Sequence, residues 1–84
     1  MKERAKVKVW DVLSDACYCS VRAIANQSDE PVSDVSGFLR VLRAKGLAES
    51  VQTSRGMVWR KVVDLPWEEV EPYTHAFQII ELET

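Results

Sequence analysis

Apolar positions recur along this chain with two different periods, and the change falls at Gly46. Before it, Val35, Phe38, Leu39 and Leu42 stand at i, i+3, i+4 and i+7. That spacing predicts a helix from Asp34 to about Lys45 with one buried stripe. Ser33 is suited to cap its start and Asp34 to complement its N-terminal dipole. Gly46 suits its end, with Leu47 packing back onto the core. Beyond Gly46 the period drops to two, which predicts one strand over Leu47–Thr53 and a partner over Met57–Val63. Ser54-Arg55-Gly56 joins them as a hairpin loop. Met57, Trp59 and Lys61 then share one face of the second strand, with Val58, Arg60 and Val62 on the other. Trp59 is the expected core anchor.

Upstream, Val9, Val12, Leu13 and Ala16 predict a first helix over Glu3 to Asp15, with Lys2, Arg4, Lys6 and Lys8 outside it. Ala16-Cys-Tyr-Cys19 reads as a short extended piece. Ser20 is a suitable cap for a second helix from Val21 to about Asn26, with Val21, Ile24 and Ala25 facing inward. The polar run Asn26–Pro31 reads as a turn. Downstream, Pro66 and Pro72 divide the remaining residues. Trp67, Val70 and Tyr73 recur every three residues, which suits a short helical turn opened by Pro66. Phe77, Ile79, Ile80 and Leu82 are too apolar for a free tail, so they should meet the core or a partner chain.

Length and charge sharpen this picture. With 84 residues, the chain makes one small domain close to the lower size limit for a self-sufficient core. No apolar run approaches the roughly 20 residues of a membrane span, and none follows the basic start in the manner of a signal peptide. A cytoplasmic location is expected. Cys17 and Cys19 flank a single residue, a poor geometry for a mutual disulfide, and read as thiols in a reducing compartment. The net charge of −2 conceals a division. Residues 1–63 hold all 11 Lys and Arg with seven acids, a charge of +4. Residues 64–84 hold six acids and no Lys or Arg, a charge of −6. A domain over 1–63 and an acidic, partly apolar extension over 64–84 are the expected units.

The order helix, short strand, helix, turn, helix, strand, turn, strand resembles a winged-helix domain. The segment VSDVSGFLRVLRAKGLAESV, followed by QTSRGMVWRKV, is similar to the third helix and wing of bacterial winged-helix transcription regulators. CYCSVRAIA fits the small first strand and second helix of that pattern. The resemblance covers about residues 3–63. It implies an α+β winged helix-turn-helix fold, with three helices, a small antiparallel sheet and a C-terminal extension. It further implies that the third helix enters the major groove of double-stranded DNA, while the hairpin tip touches phosphate or the minor groove.

Under that implication Ser33, Ser36, Gly37 and Arg40 lie opposite the buried stripe, where small residues allow close approach and Arg40 reaches a guanine edge. Asp34 reads as a dipole-complementing acid or as a reader of base edges. Arg43 and Lys45 suit phosphate contacts or the helix C-terminus. Arg55 suits the minor groove. Of Arg60 and Lys61, which alternate, at most one shares the Arg55 surface, and Arg60 is the candidate. Lys2, Arg4, Lys6 and Lys8 form either a flanking phosphate contact or a solvated face.

No Gly-rich phosphate loop, metal-ligand spacing or second histidine accompanies His75, so neither an enzyme nor a cofactor is expected. A DNA-binding regulator is the leading function, with a homodimer through residues 73–82. A stand-alone domain without a sensor region suggests a phage, plasmid or other mobile-element factor. The competing function is a winged-helix protein-interaction module that uses the acidic tail.

Overall fold

A computed structural model of the chain describes residues 1–74. The elements are α1 (Glu3–Val12), β1 (Cys19–Ser20), α2 (Val21–Ser28), α3 (Val32–Ala44), β2 (Ala48–Thr53) and β3 (Gly56–Lys61). A fourth helix, α4, covers 67–74. The three strands form one antiparallel sheet in the order β1-β3-β2. This is the α+β arrangement expected from the sequence.

The core follows from the periodicities. Val35, Phe38, Leu39 and Leu42 turn the inner stripe of α3 onto Val9, Trp10, Leu13, Ile24 and Ala25. Trp59 closes the sheet side of the same cluster, and Met57, its neighbour on that face, projects past it into solvent. Burying each large aliphatic side chain contributes about 1.5–3 kcal/mol. Gly46 ends α3 at φ +76°. The Leu47 amide donates to the Leu42 carbonyl at 2.9 Å and the Gly46 amide to the Arg43 carbonyl at 3.0 Å. This paired closure satisfies the last carbonyls of α3 and drives Leu47 into the core.

Lys61 shares the buried face with Trp59 and is only 6% exposed. Its Nζ lies 3.1 Å from Asp64 Oδ1 and 4.4 Å from the centroid of the Trp10 ring. A counter-charge and an aromatic face thus replace the lost water. The Trp10 indole donates to the Leu65 carbonyl at 2.8 Å, which ties the segment after the hairpin to α1. From there α4 puts Val70 fully inside the core cluster, with Leu65 and Trp67 packed against it. The Trp67 ring stands 6.3 Å from that of Phe38.

Four local expectations are corrected. The first helix stops at Val12 rather than Asp15, because the Ser14 hydroxyl accepts from the Ala16 and Cys17 amides and turns the chain. Ala16 is therefore exposed, and the extended piece shrinks to Cys19–Ser20. The second helix runs on to Ser28, whose buried hydroxyl donates to the Ile24 carbonyl at 2.7 Å, and the turn begins at left-handed Asp29. The third helix begins at Val32, not Asp34. Pro31 occupies the capping position with φ −62°, and its carbonyl accepts the first helical bond from Val35. Ser33 is therefore a first-turn residue and caps nothing. Last, β2 and β3 pair from Thr53↔Gly56, so the loop between them is Ser54–Arg55 alone. Phe77, Ile79, Ile80, Leu82 and His75, with nearly all of the expected dimer segment 73–82, lie outside the described residues.

Candidate nucleic-acid interface

Helix α3 has two unlike faces. The inner one is sealed, with Val35, Leu39 and Leu42 at 0% exposure. Ser33, Asp34, Gly37, Arg40 and Ala44 are exposed on the remainder, and Ser36 and Val41 are half-buried. The Arg40 guanidinium has no partner among the described residues. The exposed hairpin is braced from within. Thr53 Oγ1 donates to the Gly56 carbonyl at 2.6 Å and accepts from the Arg55 amide at 3.2 Å. Gly56 adopts φ +115°, a backbone that side chains disfavour. The tip is thus held in one shape while the Arg55 side chain stays exposed, with no partner among the described residues.

The other predicted arginines have partners within the fold, although Arg43 is exposed and Arg60 only half-buried. Arg43 donates to Ser50 Oγ at 2.7 Å, and its guanidinium lies 5.0 Å from the centroid of the Trp59 ring. It clamps the end of α3 to both strands of the hairpin. Arg60 stands directly across the sheet from Glu49 and pairs with its carboxylate. It also donates to the Asp15 carbonyl at 2.9 Å and lies 5.4 Å from the Tyr18 ring centroid. The Tyr18 hydroxyl donates to the same Glu49 oxygen at 2.7 Å. The two hydrogen bonds, from Tyr18 first and then Arg60, hold the Glu49 carboxyl below the usual carboxylate range. The Glu49 bond in turn raises the Arg60 guanidinium further. Lys45 is half-buried at the C-terminal cap of α3 and is engaged in an interaction of its own.

At the other end of α3, Asp34 and Glu30 line an open cleft of about 460 Å³ opposite Lys2, Arg4 and Lys8 of the basic N-terminal run. Lys8 pairs with Glu30 at 2.9 Å. The structure therefore brings part of that run beside the start of α3. Asp34 also stands in the first turn of α3, where a negative charge complements the helix dipole.

Sequence reading passed over two features. Arg22 is exposed on α2, without a partner among the described residues. Its place two residues after the Ser20 cap and outside the Ile24–Ala25 face could have identified it. The Tyr18–Glu49–Arg60 cluster joins residues up to 42 positions apart and leaves no local signal.

A solution structure of the homodimeric winged helix-turn-helix DNA-binding domain of Mb0332 from Mycobacterium bovis, a possible ArsR-family transcriptional regulator, superimposes on the chain with a TM-score of 0.62. The match covers 96% of this chain and 70% of that one, at 21% sequence identity. The chain has a winged helix-turn-helix fold. In this winged-helix chain α2 and α3 form the helix-turn-helix, and the β2–β3 hairpin is the wing. No family model matches it, and no curated protein does. Among the described residues, no group of His, Cys, Asp and Glu is placed to hold a metal ion, and no helix is long and apolar enough to cross a membrane.

Proposed function

We propose that the chain binds double-stranded DNA as a small transcriptional regulator. Helix α3 lies in the major groove, and the wing tip rests on phosphate or in the minor groove. One observation carries this reading: Arg40 on the outer face of α3 and Arg55 at the wing tip are exposed and unpaired among the described residues, while Arg43 and Arg60 are tied into the fold. An arginine without an internal partner has its full set of donors free for phosphate or a guanine edge. Ser33 and Ser36 offer hydroxyls to phosphate, and Lys2 and Arg4 extend the basic surface beyond the start of α3. Asp34 and Lys45 flank the contact. Arg43 and Arg60 support it by holding α3 and the wing in place. The likeness to a DNA-binding domain supports the reading at the level of the fold.

Few free cations on one copy mean few neutralised phosphates, so useful specificity calls for two copies on adjacent half-sites. Residues 73–82 are the proposed contact between them. Tyr73, half-exposed at the end of α4, is the part of that segment seen here along with Thr74.

The test is fluorescence anisotropy of labelled duplex DNA between about 50 and 200 mM salt, where neutralising several phosphates makes affinity fall by a decade or more. The full chain is compared with one ending at Thr74, since Leu65, Trp67 and Val70 belong to the core. Absence of binding by folded protein at low salt rejects the proposal. The six acids after residue 63 favour one second reading, a protein-interaction module. A basic protein partner captured by the chain in place of DNA would support that instead.

A further inference from the structure

Two of the three glycines have a backbone reason to be glycine. Gly46 and Gly56 take φ +76° and φ +115°, a region that side chains rarely adopt. Gly37 has no such reason. It is the sixth residue of the 13-residue helix α3, with an ordinary helical backbone. A β-carbon built on it meets nothing within 4 Å, so no packing contact excludes a side chain. Glycine inside a helix is nonetheless less stable than alanine at the same place. Nothing within the described fold offsets that cost.

We infer that Gly37 is the point where bound DNA approaches closest to α3, and that its missing side chain lets the helix backbone sit against the duplex. This rests on the proposed function and adds a residue whose role is to leave room. Gly37 lies one turn before Arg40 on the same outer face, and Ser33 lies one turn before Gly37. A side chain at 37 would hold the duplex off and draw the Arg40 guanidinium away from its target. The surface that costs the fold stability would thus be the surface that gains affinity.

The prediction is a pair of opposite signs. Full-length wild type, Gly37→Ala and Gly37→Gln are melted by circular dichroism and titrated with a random pool of duplexes of about 24 base pairs, roughly two helical turns, near 50 mM salt. Neither substitution alters charge. Both variants should melt higher than wild type, Gly37→Ala by about 4 °C or more. Both should bind more weakly, Gly37→Ala by roughly fivefold and Gly37→Gln by more, as expected for loosening one guanidinium contact. Variants that melt higher and bind as tightly as wild type overturn the inference while leaving the proposed function intact. Variants that melt lower also overturn it, because the glycine would then serve the fold. If wild type itself does not bind, the proposed function fails first and the inference falls with it.

Discussion

Arg40 and Arg43 lie three residues apart on one helix, and Arg55 and Arg60 belong to one hairpin, yet each pair divides in the same way. Arg40 and Arg55 reach into solvent. Arg43 bridges to Ser50 and covers Trp59, while Arg60 joins Glu49, Asp15 and Tyr18. A count of positive charge on α3 and the wing treats all four alike. Their partners separate them into two that are tied to the fold and two that have no partner among the described residues.

The strongest way to break this division is to attack the scaffold itself. Leu39→Ala empties a site of 0% exposure on the inner stripe of α3. It should cost about 2–5 kcal/mol, measured by urea denaturation. In a domain this small, DNA binding should vanish with the fold. Arg40→Ala should do the reverse. Affinity for duplex DNA should fall by about 1–3 kcal/mol, read by anisotropy, while the denaturation midpoint stays within about 0.5 kcal/mol of wild type. Arg43→Ala should reverse it again. Losing the Ser50 hydrogen bond and the Trp59 contact should lower stability by about 1 kcal/mol. The folded variant should bind DNA with a smaller loss than Arg40→Ala.

The smallest expected effect is a pH dependence. Because the Glu49 carboxyl is held below its ordinary value, its ionised form favours the folded state. That contribution is fully present above the unfolded carboxyl value and is lost as pH falls through the lower folded value. Thermal melts of wild type and Glu49→Gln should therefore differ most near neutral pH and converge on acidification through the carboxylate range. A gap that widens in acid would contradict the Tyr18–Glu49–Arg60 geometry.

The legible parts of the fold are those encoded over a few residues. The stripe Val35–Leu42, the Gly46 stop, the Ser20 cap and the switch to period two each lie within one element or at its end, and each is where the pattern puts it. The errors of extent have equally local causes that compete with periodicity: the Ser14 hydroxyl ends α1, and Pro31 starts α3 early. The candidate interface was legible as a face but not as a set of available groups. Whether an arginine on that face is free depends on contacts across 7, 11 or 45 residues, as for Arg43 with Ser50 and Arg60 with Glu49 and Asp15. The pair 45 residues apart lies outside any local window, and the two nearer pairs depend on the hairpin register and on how the hairpin docks against α3. The burial of Lys61 against Trp10 is hidden for the same reason.

The most direct test of the division among the arginines is the salt slope of DNA binding. Log affinity is measured against log salt for wild type, for Arg40→Ala/Arg55→Ala and for Arg43→Ala/Arg60→Ala, each at a temperature where it is fully folded. Each lost phosphate contact flattens the slope by about 0.9. The first double variant should bind more weakly, with a slope shallower by about one to two, and the second should keep a slope close to wild type. Equal slopes for wild type and the Arg40/Arg55 variant, or a flatter slope for the Arg43/Arg60 variant alone, would contradict the assignment of the DNA contact to the unpaired arginines.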